Sequence, residues 1–135
     1  RGGFMQLNVT TDYAIRMTLF LAILGTPMGS EDISKQMGIP KQIIAQIAKP
    51  LRDAGIIVTK RGVGGGVSLN RKPEEISLAD VINAMEGTTR INRCMEADHY
   101  CSRDAAATCP VRKFYEGIQT FVDEAFSSKT IASLM

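Results

Sequence analysis

The sequence predicts a mainly α-helical chain with one small β-hairpin. Apolar residues recur at threes and fours in five separate stretches. Cap residues, glycines and prolines bracket those stretches. One pair of short β-branched runs flanks the glycine-rich segment Lys60-Arg61-Gly62-Val63-Gly64-Gly65-Gly66. A length of 135 residues, 44% of them hydrophobic, suits one domain or one domain with an added arm.

The first expected element is a helix entered through the N-cap chemistry of Thr10-Thr11-Asp12. Ala14, Ile15, Met17, Leu19, Phe20, Leu21, Ile23 and Leu24 make it strongly apolar, and Gly25 and Pro27 end it. Ser30 is the expected cap of a second, short helix. Glu31 and Asp32 lie in its first turn, where the helix dipole favours negative charge, and Gly38 stops it. Ile39-Pro40 turns the chain into a third helix, from about Lys41 to Ala54, with Gly55 just beyond. Ile43, Ile44, Ile47 and Leu51 share its inner face, and Lys41, Gln42, Gln46, Lys49 and Arg52 lie opposite. Pro50 is expected to kink or break this helix near Lys49, because an interior proline removes a hydrogen bond at a cost of ~3 kcal/mol.

Ile56-Ile57-Val58 has strand composition, and Val67 and Leu69 alternate with polar residues. Together with the glycine-rich tip they read as a hairpin that Pro73 ends. Ser77-Leu78-Ala79-Asp80 opens a fourth helix with Leu78, Val81, Ile82 and Met85 on its apolar face, closed by Gly87. Residues 88–109 carry no period and read as a loop. Pro110 suits the first position of a long helix. Its stripe of Val111, Phe114, Ile118, Phe121, Val122 and Ala125 needs a partner, and a second copy of the chain is the simplest one. Helix, helix-turn-helix and hairpin in this order describe a winged helix-turn-helix, here followed by a long C-terminal dimerisation helix. The expected divisions are residues 5–87 for the winged domain, 88–109 for the loop, and 110–135 for the dimerisation helix and C-terminal segment. Arg1-Gly2-Gly3-Phe4 reads as a cloning remnant before a natural start at Met5.

Charge is divided along the chain. Residues 1–72 hold ten Lys/Arg against four Asp/Glu, and residues 73–135 hold six against ten. A basic winged module joined to an acidic second half fits double-stranded DNA as the partner. Set in a major groove, the third helix offers Lys41, Gln42, Gln46, Lys49 and Arg52 to base edges and phosphates; the alternative is a solvated polar face. Lys60 and Arg61 make the hairpin a basic wing, with Arg61 suited to the negative potential of a minor groove; the alternative is a plain turn. The tip lacks a Gly-Lys-Ser/Thr ending and joins strands instead of opening a helix, which argues against nucleotide hydrolysis.

Cys94, Cys101 and Cys109 are the only cysteines, with six residues between the first two and seven between the second two. An odd count argues against a disulfide framework and points to reduced thiols in the cytoplasm. No run reaches the ~18 apolar residues of a membrane span, and no secretory leader is visible. A structural zinc site usually includes a close Cys-x₂₋₄-Cys pair, which this spacing lacks. Iron–sulfur clusters are also held by thiolates. Reactive thiols beside Arg93, Arg103 and Arg112 are the alternative, and a zinc-stapled interaction module is a third reading. His99, the only histidine, lies between the first two cysteines and is a candidate fourth ligand. No nucleophile–base or paired-carboxylate set is present, so no enzyme is expected.

Thr11-Asp12-Tyr13-Ala14-Ile15-Arg16, Leu51-Arg52-Asp53-Ala54-Gly55-Ile56-Ile57, Arg61-Gly62-Val63-Gly64-Gly65-Gly66, Ser77-Leu78-Ala79-Asp80-Val81-Ile82, the three cysteines before Pro110 and Thr130-Ile131-Ala132-Ser133-Leu134 together resemble the IscR/NsrR/RirA family of bacterial regulators, the Rrf type. The resemblance implies a homodimer on a palindromic operator. It implies an iron–sulfur cluster on Cys94, Cys101 and Cys109, [2Fe–2S] favoured over [4Fe–4S], that changes DNA affinity. Repression of cluster-assembly genes is the leading implication; nitric-oxide or iron sensing, or a cluster-free thiol-redox switch, are the alternatives. The chain departs from the family pattern in three ways. The gaps between its cysteines are longer than in IscR-like members. Arg112 stands where a histidine ligand falls in those members. Ala45 stands where they often carry a glutamate. Asp12 matches an aspartate that completes the cluster from the other subunit in some NsrR-like members.

Overall fold

The computed structural model describes residues 7–135. The expected remnant at 1–4 and start at Met5 lie outside the described residues. The first helix, α1, spans Val9–Leu24. Its cap is Asn8, whose Oδ1 accepts from the Thr10 backbone at 2.8 Å, and not the Thr10-Thr11-Asp12 run. Thr11 is instead buried, its hydroxyl donating to the Glu86 carboxylate. Asp12 pairs along the helix with Arg16 at 2.9 Å. Gly25, in the left-handed region at φ 74°, closes the helix as expected.

The second helix, α2, spans Ser30–Met37 and is entered through Gly29, so Ser30 is its first residue and not its cap. The third, α3, spans Lys41–Asp53. It runs through Pro50 without the expected break. Pro50 sits in the last turn, so its missing N–H orphans one carbonyl, that of Gln46, an exposed residue. Meanwhile Ile44, Ile47 and Leu51 are fully buried and hold the helix to the core.

Two strands follow, β1 (Ile57–Lys60) and β2 (Gly66–Leu69), antiparallel with Ile57 opposite Leu69 and Lys60 opposite Gly66. Met28 exchanges two backbone hydrogen bonds with Val67, at 3.0 and 2.8 Å, and so pins the hairpin base to the α1–α2 connection. Gly66 permits this approach: at φ 132°, a Cβ there would lie 2.6 Å from the Met28 carbonyl.

The fourth helix, α4, spans Leu78–Met85 and opens on a reciprocal Ser77–Asp80 capping box. It closes at Glu86, one residue before the expected Gly87. Residues 88–109 hold only two single 3₁₀ turns, Arg93–Met95 and Ala106–Thr108. The fifth helix, α5, spans Pro110–Ser128, with Pro110 at its first turn. The chain then returns to the body. Lys129 accepts from the Leu78 backbone and Ile131 donates to Ile76, both at 2.8 Å. Ile131 ends fully buried among the core residues Met17, Ile44, Leu51, Ile76 and Val81.

Candidate functional site

The face of α3 away from the core is solvent-exposed at Lys41, Gln42, Ala45, Gln46, Lys49, Arg52 and Asp53. The burial of Ile44, Ile47, Ala48 and Leu51 fixes which way this face looks. Lys49 Nζ pairs with Asp53 at 2.9 Å, and Arg52 Nη1 donates to Thr59 of β1 at 3.3 Å. The wing therefore stands beside the C-terminal half of α3. Lys60 and Arg61 are exposed at the start of the hairpin turn. All seven residues expected to meet DNA thus lie on α3 or the adjoining hairpin, and all are exposed.

The second site lies in the loop before α5. Cys94, Cys101 and Cys109 are half-buried and line one cleft of about 280 Å³, together with Asn92, Tyr100, Arg112 and Tyr115. Cys109 is also the N-cap of α5. Among the described residues, no three His, Cys, Asp or Glu side chains are gathered close enough to hold one metal ion. The thiols stand around the cleft instead. Cys101 is held below the ordinary thiol range, first by the backbone N–H of Ala105 and then by that of Arg103. Burial opposes these two, and the Arg103 charge and the Asp104 N–H add smaller favourable effects. Asp104 at φ 52° shapes the turn that aims these donors.

His99 does not line the cysteine cleft. It sits at φ 51° on a neighbouring depression with Asp98, Asp104 and Arg112, and its Nδ1 lies 2.9 Å from Arg112 Nη2. Asp12 faces Arg16 of its own helix. Neither candidate fourth ligand is brought to the cysteines within one chain.

Two anchors of the loop were not signalled by the sequence reading. Arg112 donates from Nε to the Cys94 carbonyl at 3.2 Å and from Nη1 to Glu116 at 2.6 Å, besides facing His99. Gln119 is only 2% exposed. Its Oε1 accepts from the Ile91 backbone at 2.8 Å, and its Nε2 donates to the Thr89 carbonyl at 3.0 Å and to Asp123 at 2.9 Å. Asp123 also pairs with Arg90 at 3.0 Å. The base of the cysteine loop is therefore latched to the middle of α5. The available signal was a polar residue between Ile118 and Val122 in the apolar stripe, with a carboxylate four positions on.

A helix-turn-helix packed on the core, with an exposed polar face on its third helix and a basic hairpin beside it, defines a DNA-binding transcription regulator of the winged-helix class. Residues 7–135 match the Rrf2 family, described as "Iron-dependent Transcriptional regulator", and the chain belongs to that family. It is 31% identical over 125 residues to protein aau3 of Rhizobium meliloti (strain 1021), covering 87% of this chain and 81% of that one. The fold is that of T. potens IscR, with a TM-score of 0.76 at 21% identity over 96% of this chain and 85% of that one. It is equally that of CymR, titled the global cysteine regulator of B. subtilis, with a TM-score of 0.78 at 23% identity over 97% and 96%. No helix among the described residues is long and apolar enough to cross a membrane.

Proposed function

We propose that this regulator is a cytoplasmic homodimeric repressor whose hold on a palindromic operator depends on an iron–sulfur cluster at Cys94, Cys101 and Cys109, and that it controls genes of cluster assembly. The observation that carries the reading is the shared cleft: three thiols more than a turn apart in sequence face one space at the N-terminus of α5. The donor set fits in kind. Hydrogen bonds from backbone amides to sulfur, as at Cys101, stabilise a thiolate and tune a bound cluster. The fourth position is open to His99, or to Asp12 of a second copy. A bound cluster would supply iron–thiolate bonds between the loop and α5, and their loss is the signal.

The chain's own residues carry that signal onward. Gln119, Asp123 and Arg112 fasten the loop to α5. Helix α5 packs on α4, and α4 packs on α1 and α3. A change in the loop therefore reaches the DNA-reading helix through packed helices, in keeping with a ligand that shifts a population between two arrangements. In the dimer, Lys41, Gln42, Gln46 and Lys49 address the major groove, with Arg52, Lys60 and Arg61 set toward the backbone and the flanking groove.

The test is anaerobic purification with counts of iron and acid-labile sulfide. The expected result is a coloured protein that becomes colourless in each of Cys94→Ser, Cys101→Ser and Cys109→Ser. A second reading, a thiol-redox switch without a cluster, is favoured by the stabilised Cys101 thiolate. An iron-free protein whose DNA binding follows thiol oxidation would replace the first reading with the second.

A further inference from the structure

The exposed face of α3 has an unusual chemistry for a DNA-reading surface, because its N-terminal half carries amides and a methyl group in place of arginine. At about 100° per residue, Lys41, Gln42, Ala45, Gln46, Lys49, Arg52 and Asp53 fall within an arc of about 140°, and every one is exposed. Their side chains are not equally available. Lys49 and Asp53 hold each other, and Arg52 is tied to Thr59 of the wing. Among the described residues, Lys41, Gln42 and Gln46 make no side-chain hydrogen bond or ion pair, and all three lie in the first half of the helix, where recognition helices meet base edges.

We infer that Gln42, Ala45 and Gln46 read A·T pairs, so that the centre of each operator half-site is selected for adenine and thymine. A glutamine amide presents one donor and one acceptor side by side, which matches the N7 acceptor and N6 donor of adenine. The Ala45 methyl, exposed three residues on from Gln42 and to one side of the two glutamines, is an apolar contact for the C5-methyl of thymine. Asp53, the carboxylate of this face, stands at the last position of α3, well away from Gln42 and Gln46, so no carboxylate accompanies the glutamines to accept from a cytosine amino group. Lys41, a cation on this half with no side-chain partner among the described residues, fits a guanine or a phosphate at the edge of the subsite. The inference rests on the operator-binding part of the function proposed above and is independent of the cluster.

The test selects sites from a randomised duplex pool with the full chain, followed by binding to single-substituted duplexes at one fixed salt concentration. A half-site with an A·T centre is expected. Exchanging one such pair for G·C weakens binding by about 10–100-fold. Gln42→Ala and Gln46→Ala each flatten the preference at one position and keep the rest, whereas Lys60→Ala in the wing weakens all sequences alike. Replacing thymine by deoxyuridine, which removes only the methyl group, weakens binding at one position. A selected site with a G·C centre overturns the inference. So does a uniform loss across sequences in both glutamine variants with unchanged thermal unfolding. Absence of salt-dependent binding to any duplex would remove the operator reading itself, a result distinct from binding with the wrong base preference.

Discussion

Cys101 is the residue whose surroundings state most about its chemistry. Three backbone N–H groups of the turn at 103–105 and the Arg103 charge favour its thiolate. The thiolate form therefore appears at lower pH than in an unstructured thiol. In metal-free, reduced protein, alkylation of Cys101 by iodoacetamide is expected to reach its plateau rate below the pH range of a free cysteine. Mass mapping against pH checks this, and Arg103→Gln, which removes the neighbouring positive charge while keeping the backbone N–H groups of the turn, should move the profile up. The three cysteines themselves were legible in the sequence, because thiols are rare and their clustering is plain. The backbone donors were not legible, since any residue supplies an N–H and only the turn geometry aims it. Gln119 was hidden for a related reason. A glutamine in a helix is ordinarily a solvated residue, and its burial follows from where residues 89–91 cross α5. His99 shows the opposite outcome: nearness in sequence to the cysteines suggested ligation, yet within the chain its Nδ1 faces Arg112.

At the scale of elements, apolar periods on the third, fourth and fifth helices, and apolar content with caps, breakers and β-branched runs elsewhere, placed the five helices and two strands. Ends were less legible. Asn8 and Gly29 enter α1 and α2, one or two residues before the caps read from sequence, since several polar residues compete for each cap and tertiary contacts choose among them. Thr11 is the instructive case. Its hydroxyl serves the Glu86 carboxylate at the end of α4, a partner 75 positions away. Pro50 shows that a strong local penalty yields when it falls in a last turn and Ile47 and Leu51 are buried on either side. The hairpin was legible by composition, but its attachment to Met28 was not. That attachment makes Gly66 the sensitive position of the wing. Gly66→Ala is expected to destabilise the protein by roughly 1–3 kcal/mol, read from urea unfolding, because φ 132° and the Met28 carbonyl both exclude a Cβ. The exposed Gly62, whose Cβ would meet open space, should cost less on the same substitution.

At the scale of the whole molecule, α5 presents Val111, Phe114, Ile118 and Phe121 to solvent, with Phe121 72% exposed and Phe114 66% exposed. Such a row on one helix of a folded chain marks an interaction surface, and a second copy of α5 completes it in the proposed dimer. Phe121→Glu is expected to shift the mass seen by light scattering from dimer to monomer. Operator affinity should fall by more than tenfold with it, because one half-site then binds alone. Thermal unfolding of the monomer core should stay close to that of the parent chain, as Phe121 lies outside the buried cluster. The same organisation gives the account its central claim: the state of the cysteine cleft sets the affinity of α3 and the wing for DNA. The most direct measurement is operator binding at one salt concentration by anaerobically purified protein, before and after its iron is removed by nitric oxide or a chelator. The expected result is a change in Kd of at least tenfold on iron loss, absent in Cys94→Ser. An unchanged Kd in protein that demonstrably held and then lost its iron would contradict the claim.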